Sequence, residues 1–220
     1  MNWQRATTNE KKSERKAAIC DAALTLFNEQ GYEKVTFNGI ASKAGFTKSN
    51  MYRYFSSKEE IFLVIFSELF EAWFQECLQR LQQLPVQADK QAFAALWVTS
   101  HKQHRAFLEL TPLLFVSLEC NSSYEQLLRF KGFSMDLLFQ LATEIGRVYP
   151  ALAGEKSFEF LTLSFAATAN YWAAESKQND ALKQIYALEQ FSMLKPNFDK
   201  SLTTSVAVIL HGLHSNETNT

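Results

Sequence analysis

Apolar residues recur at intervals of three and four along most of this chain, a spacing that predicts amphipathic helices. We expect a first helix over about residues 13–30 and a long one over about residues 57–85. Further helices are predicted at 89–103, 104–118, 123–149, 155–177, 180–194 and 198–213. Pro112 should kink or split the second of these, because proline removes a backbone donor. No strong alternating run is bounded by turn residues, so we expect no sheet.

The most informative stretch reads TFNGIASKAGFTKSNMYRYFSSK, which predicts two short helices joined by a tight turn. Thr36 and Thr47 are each placed to cap a helix. Gly45 lies between them, where the chain must turn sharply and glycine takes a positive φ without steric cost. In the second helix Met51 and Phe55 share an inward face, and polar side chains occupy the other faces. This is the spacing of a helix-turn-helix, whose second helix enters the major groove of DNA.

Residues 14–66 resemble the DNA-binding domain of the TetR family of bacterial transcriptional regulators. The resemblance rests on residues 29–32 (EQGY), 51–55 (MYRYF) and 57–62 (SKEEIF), which follow the family's order and spacing. It covers about a quarter of the chain. It implies an all-α fold, with an N-terminal three-helix helix-turn-helix DNA-binding domain and a C-terminal helical bundle for ligand binding and dimerisation.

A capping-box pattern at Ser57 and Glu60 marks the start of the long helix that should connect two domains. The Pro85 region is the clearest break after it. The expected organisation is a flexible arm at 1–12, the helix-turn-helix domain at 13–58, the connecting helix at 59–85, a ligand-binding and dimerisation domain at 86–214, and a tail at 215–220.

The polar side chains of the second short helix offer different contacts to DNA. Lys48 and Arg53 supply charge for phosphates or guanine edges, and Ser49 and Asn50 can pair with base edges. By resemblance to the family, Tyr52 and Tyr54 of the MYRYF block contact the DNA backbone, although packing of these side chains against neighbouring helices is an open alternative. The expected DNA-binding residues are Thr36, Thr47, Lys48, Ser49, Asn50, Tyr52, Arg53, Tyr54 and Lys58.

The net charge of −1 becomes informative when it is divided along the chain. Residues 1–58 hold 10 Lys and Arg against 5 Asp and Glu, whereas residues 59–220 hold 12 against 18. Basic charge is therefore concentrated where phosphate contact is expected. The N-terminus is polar, and the longest notable apolar run, at 61–66, is far shorter than the roughly twenty residues that span a membrane. We expect a cytoplasmic protein without membrane contact.

Nineteen phenylalanines and four tryptophans are many for a chain of 220 residues. An aromatic stripe is more often core than binding site, and that alternative stays open. The family resemblance nevertheless implies a pocket for a small, mainly apolar effector. The tentative ligand-binding residues are Trp97, His101, His104, Phe107, Phe115, Phe139, Asn170 and Tyr171. The helix at 158–174 is apolar almost all round, and with the last helix it should form a homodimer interface, with an internally packed monomer as the alternative.

Other classes of protein find less support. The pairs His101/His104 and His211/His214 have a helical spacing, but no carboxylate or cysteine completes a metal set in sequence, so no metal and no cofactor are expected. No motif of a hydrolase, a metalloprotease or a nucleotide-binding enzyme occurs, so we expect no enzyme. The partners are then a palindromic double-stranded DNA operator and a small molecule. Repression follows from the resemblance alone, and an activator or an interaction module without DNA binding are the alternatives.

Overall fold

The computed structural model describes the backbone of residues 3–215 and the side chains of residues 10–215. Over these residues the chain forms ten α-helices and no strand, which confirms the all-α prediction. The helices are α1 (Trp3–Gln30), α2 (Phe37–Lys43), α3 (Lys48–Met51), α4 (Lys58–Gln82), α5 (Lys90–Gln103), α6 (Arg105–Leu110), α7 (Tyr124–Val148), α8 (Glu155–Ser176), α9 (Asp180–Ala187) and α10 (Phe198–Ser215).

The N-terminal prediction needs a correction. Helix α1 begins at Trp3 rather than near Ser13, so most of the arm predicted at residues 1–12 is helical. The physical reason is that this polar stretch contains no glycine or proline and is rich in good helix formers such as Glu, Lys and Arg. Residues 1 and 2, and residues 216–220 of the predicted tail, lie outside the described part of the chain.

Proline divides the predicted helix at 104–118 as expected. Helix α6 ends at Leu110, and after a turn around Pro112 the chain forms a π-helical turn, Leu114–Leu118. Such π-helical turns are rare and are often found at functional sites. The predicted helix at 180–194 also divides, because a 3₁₀ turn, Glu189–Leu194, follows α9.

The chain separates into two compact units. Unit 1 comprises residues 1–68 together with residues 114–132. Its core is built around the fully buried Ile40, Met51 and Phe62, and the ring of Tyr32 packs edge-on against Phe62 at 4.9 Å between centroids. The helix-turn-helix thus shares one unit with a segment that lies much later in the sequence.

Unit 2 comprises residues 69–113 and the chain from residue 133 onward. Helix α10 packs against α5 and against α8, and aromatic rings of α5 and α8 meet in a shared core. Trp73, Trp97, Phe93 and Phe160 are completely buried there, with ring centroids of Trp73 and Trp97 5.4 Å apart. Within the described residues, no helix is both long and apolar enough to cross a membrane.

Candidate nucleic-acid interface

Two threonine caps and a glycine turn shape the helix-turn-helix. The Thr36 Oγ1 accepts a hydrogen bond from the Gly39 N–H at 3.0 Å, and the Thr47 Oγ1 accepts one from the Asn50 N–H at 3.3 Å. Gly45 adopts a φ of 73°, in the left-handed region that favours glycine. All three predicted roles are confirmed: Thr36 caps the start of α2, Gly45 forms the turn after α2, and Thr47 caps the start of α3.

Helix α3 presents a polar surface. Lys48, Ser49, Asn50 and Arg53 are exposed, while Met51 is completely buried beneath them. The α-helical part is short, because after Met51 the chain tightens into turns. The predicted recognition residues therefore lie on one capped helical turn and the turn that follows it.

A cleft of about 470 Å³ opens beside Tyr52. The Tyr52 side chain is 56% exposed, and its ring lies 5.2 Å from that of Phe37 between centroids. Thr36, Lys48 and Lys58 also line this cleft, as do the carboxylates Glu33 and Glu59. Hydroxyl, phenol and ammonium groups around one concave surface are the donors that contact phosphate oxygens in protein–DNA complexes.

Tyr54 and Lys58 are held more tightly than Tyr52. The phenol oxygen of Tyr54 accepts a hydrogen bond from Arg15 Nη1 at 3.2 Å, and the ring packs edge-on against Phe46. The Lys58 ammonium donates to the carbonyl oxygens of Tyr32 and Val35 and lies 4.2 Å from the centre of the Tyr32 ring. Both side chains therefore brace the domain, in addition to any contact they make with DNA.

A network that the sequence did not reveal ties the start of α4 to the loop before α7. The Ser57 Oγ accepts from the Glu60 N–H at 3.1 Å, which confirms half of the capping box. The Glu60 carboxylate does not return to Ser57. It accepts from the N–H of Ser56 at 2.6 Å and from the N–H of Ser123 at 3.0 Å. Burial alone would raise the pKa of Glu60, but these hydrogen bonds outweigh it and hold the pKa below its ordinary value.

Tyr32 makes a second link to the same segment. Its hydroxyl lies 3.3 Å from Glu59 Oε1, to which it donates, and 3.1 Å from the Ser117 Oγ in the π-helical turn. Burial raises the pKa of Tyr32 to about 12, so the phenol stays protonated at neutral pH. Because its single proton serves Glu59, the Ser117 hydroxyl donates to Tyr32.

Comparison with known families matches both halves of the chain. Residues 19–65 match the family described as "Bacterial regulatory proteins, tetR family", and residues 67–217 match "Tetracyclin repressor-like, C-terminal domain". The chain belongs to the TetR family. The resemblance carried by the helix-turn-helix is thereby confirmed and extends over the C-terminal helices of this TetR-family regulator.

Individual relatives agree with the assignment. The HTH-type regulator YfiR of Bacillus subtilis is 42% identical over 55 residues, covering 25% of this chain and 27% of the relative. The HTH-type regulator RutR of Escherichia coli is 28% identical over 148 residues, covering 66% of this chain and 59% of the relative. Both matches leave much of the relative uncovered. The structure of Thermus thermophilus FadR, a TetR family transcriptional repressor in complex with lauroyl-CoA, shares the fold at a TM-score of 0.59 and 16% identity, covering 93% and 98% of the two chains.

Three of the tentative ligand-binding residues lie together in unit 2 of the TetR-family regulator. Trp97, His101 and Phe107 are buried in one aromatic cluster, with centroids of Trp97 and His101 5.3 Å apart. Burial lowers the pKa of His101 to about 4, against the opposing hydrogen bond to the Trp97 carbonyl oxygen. The imidazole is therefore neutral at physiological pH.

The other tentative ligand-binding residues are dispersed. His104 Nε2 lies 2.8 Å from a carboxylate oxygen of Glu76, and the Tyr171 hydroxyl lies 2.9 Å from the Ser205 Oγ. Asn170 and Phe139 are exposed, the latter against Phe158. Phe115 belongs to unit 1, in the π-helical turn. Their part in ligand binding stays a prediction.

Two of the three cysteines of the TetR-family regulator, Cys20 and Cys77, are buried, whereas Cys120 is exposed. Burial raises the pKa of Cys20 and that of Cys77 to about 12, so both thiols stay protonated at neutral pH. Among the described residues, no three His, Cys, Asp or Glu side chains are grouped so as to hold a metal ion. Neither observation adds a chemical site to the DNA-binding surface.

Proposed function

We propose that this protein is a ligand-responsive repressor that binds a palindromic operator through α3 and is released by a small apolar molecule. The observation that carries the proposal is the exposed polar surface of α3. The Thr36 and Thr47 caps fix the starts of α2 and α3, and the cleft beside them is lined in part by side chains that can donate hydrogen bonds to phosphate oxygens. The excess of basic residues in the first 58 positions supports the same surface.

Dimerisation through α8 and α10 completes this proposal. TetR-family regulators act as dimers. Leu163 on α8 is 43% exposed and Val208 on α10 is 62% exposed, on helices that pack against each other. Apolar residues exposed on adjacent helices favour a second copy as their partner. Two-fold symmetry would then place two α3 helices about 34 Å apart, one turn of DNA, which requires a palindromic operator.

The aromatic core of unit 2 supports a mainly apolar effector. The related FadR fold is described in complex with lauroyl-CoA, a molecule with a long acyl chain. In this chain Trp73, Trp97 and Phe107 form an apolar cluster, with centroids of Trp73 and Phe107 5.3 Å apart. Recognition of an apolar effector is therefore the form of ligand response that we propose.

The segment at 114–123 is the proposed route by which the effector alters the DNA-binding unit. It follows α6 of unit 2 in the chain, yet it belongs to unit 1, where its Ser117, Asn121 and Ser123 form hydrogen bonds with residues between Tyr32 and Glu60. A ligand that shifts this segment would redistribute two conformations of the regulator. Coupling of about 1–3 kcal/mol corresponds to roughly 5- to 150-fold weaker DNA binding.

The test is fluorescence anisotropy of the purified protein with labelled DNA flanking its own gene, over a series of salt concentrations. The control is DNA of equal length and shuffled sequence. We expect flanking DNA to outcompete shuffled DNA by about a thousandfold or more. Equal, steeply salt-dependent binding to both would contradict an operator at that place. Absence of binding at low salt would favour the interaction module, and an effector that strengthens rather than weakens binding would contradict release.

A further inference from the structure

Ser134, Tyr149 and Trp172 hold three of the five buried side-chain atoms that have no hydrogen-bond partner among the described residues, and the other two lie together in the aromatic core of unit 2. They are the indole Nε1 of Trp97 and the imidazole Nε2 of His101. Both side chains are completely buried. They lie one helical turn apart on α5, and their ring centroids are 5.3 Å apart. Native proteins leave few such groups unsatisfied, and each one requires an explanation.

The chemistry of the two atoms is complementary. His101 Nδ1 lies 2.8 Å from the carbonyl oxygen of Trp97, and a carbonyl can only accept, so Nδ1 carries the proton. Burial lowers the pKa of His101 to about 4, which leaves the ring neutral and places a lone pair on Nε2. The unpartnered Nε2 is therefore an acceptor, whereas the indole Nε1 of Trp97 can only donate.

A neighbouring tryptophan shows that this core can satisfy an indole. Trp73 stacks in the same cluster, with its centroid 4.6 Å from that of His101, and its Nε1 donates to the Ser100 Oγ at 3.1 Å. Phe107 and Phe165 cover the cluster with purely apolar rings. Phenylalanine at 97 and 101 would avoid the cost of burying an unpaired polar atom. The donor and the acceptor at these positions therefore point to a molecule that binds there.

We propose that Trp97 and His101 recognise one uncharged polar group of the effector, a group that both accepts and donates a hydrogen bond, on an otherwise apolar molecule. An alcohol is the simplest example, and it would accept from Trp97 Nε1 while donating to His101 Nε2. An ether or a thioester carbonyl can accept but cannot donate. This inference rests on the proposed ligand response and specifies the chemistry of its site.

The aromatic surroundings explain why the polar group must be uncharged. A carboxylate in this core would lose its hydration without gaining a cation, because the imidazole is neutral. A ligand would also have to separate Trp97 from the rings that now touch it.

The experiment is calorimetric titration of the full-length protein, without DNA, with decanol, methyl nonyl ether and undecane, which have the same length. We expect decanol to bind about tenfold or more tightly than the ether and undecane, since only decanol satisfies both atoms. Trp97→Phe and His101→Phe should each reduce that preference to about threefold or less. The matched control is Trp172→Phe, which removes a buried, unpartnered indole N–H outside this cluster, where the ring packs against Phe198, and which should keep the preference.

A second measurement does not depend on the folding of any variant. In protein with ¹⁵N-labelled histidine, decanol should shift the Nε2 resonance of His101 and undecane should not. Equal affinity for the three probes, binding by none of them, or an unchanged preference in both variants would overturn the inference. So would an Nε2 resonance that is already hydrogen-bonded without ligand, which would indicate a buried water only. Because no DNA is present, loss of operator binding would refute the proposed function without affecting these results.

Discussion

The carboxylate of Glu60, at the start of α4, accepts a hydrogen bond from the backbone N–H of Ser123 at 3.0 Å, although 63 residues separate them in the chain. The same carboxylate accepts from the N–H of Ser56, and the neighbouring Ser57 Oγ donates to the Asn121 carbonyl oxygen at 2.9 Å. One end of α4 therefore closes the helix-turn-helix and also anchors the loop that precedes α7.

Replacing the Glu60 carboxylate should lower the stability of unit 1. Glu60 is 3% exposed, and Glu60→Gln would turn one amide N–H toward a backbone donor. We expect a loss of about 1–3 kcal/mol in the free energy of unfolding at neutral pH, measured by urea denaturation. Glu14→Gln, an equal change of charge at an exposed position of α1, is the control and should have little effect. Equal stability of the two variants would contradict the role of the network.

The sequence was sufficient for the local features of the DNA-binding unit and insufficient for the contacts between distant segments. The caps at Thr36 and Thr47 depend on side chains three residues from their partners, and such short-range chemistry is visible in sequence. The capping-box prediction is confirmed for the hydrogen bond from the Glu60 N–H to the Ser57 Oγ. The return bond to the Ser57 N–H is not formed, because the Glu60 carboxylate accepts from the N–H of Ser123. Tertiary contacts of this kind leave no periodic pattern, so no signal in the sequence indicated the network.

In the C-terminal half, the amphipathic spacing predicted the long helices α7 and α10, since each has an apolar stripe over many residues, whereas α8 is apolar almost all round. The hydrogen-bond partners of the aromatic side chains could not be predicted from the sequence. An indole at Trp73 and one at Trp97 look equivalent in sequence, yet only the first reaches a serine hydroxyl. Whether a buried indole N–H reaches a hydrogen-bond acceptor depends on packing between helices, which composition and periodicity do not specify.

Removal of one exposed cation from α3 should weaken DNA binding in a salt-dependent way. For Lys48→Ala we expect lower affinity for the operator and a salt slope smaller by about one, because one phosphate contact is lost. The exposed Lys195, which lies in unit 2, provides the control: Lys195→Ala should leave the slope unchanged. Anisotropy across a salt series checks both variants, and equal slopes for the two would contradict phosphate contact by Lys48.

A charge on the exposed apolar surface of α8 or α10 should separate the dimer. Leu163→Glu and Val208→Glu would bury a carboxylate in the proposed interface, where it lacks a cation. We expect sedimentation of each variant near the monomer mass of 25.2 kDa, and of the unmodified protein near twice that value. Val86→Glu, at a loop position with similar exposure, should remain dimeric. Dimers of all three variants would place the interface elsewhere.

The hydrogen bond between Tyr32 and Ser117 should matter more for ligand response than for DNA affinity. Ser117→Ala removes a bond of 3.1 Å at the π-helical turn but leaves α3 and its caps intact. We therefore expect operator affinity within about twofold of the original and a smaller effector-induced loss of affinity. The control is Ser122→Ala, whose hydroxyl donates to the carbonyl oxygen of nearby Leu118. An unchanged effector response in Ser117→Ala would contradict coupling through this bond.

The buried imidazole of His101 should make the regulator sensitive to mild acid. Burial lowers its pKa from 6.5 to about 4 in the folded state, so the unfolded chain takes up a proton at a higher pH than the folded chain does. Stability should therefore fall as the pH decreases from 6.5 toward 4, by about 3 kcal/mol if the whole shift is expressed. His101→Phe removes this contribution. We measure the free energy of unfolding by urea denaturation at pH 7 and at pH 5, and we expect its decrease between the two pH values to be about 2 kcal/mol smaller in the variant than in the unmodified protein. Because Glu60 and Glu76, whose folded pKa values are also lowered, are present in both proteins, their contributions cancel in the comparison. An equal drop in the two proteins would mean that the imidazole is not neutral and buried in solution.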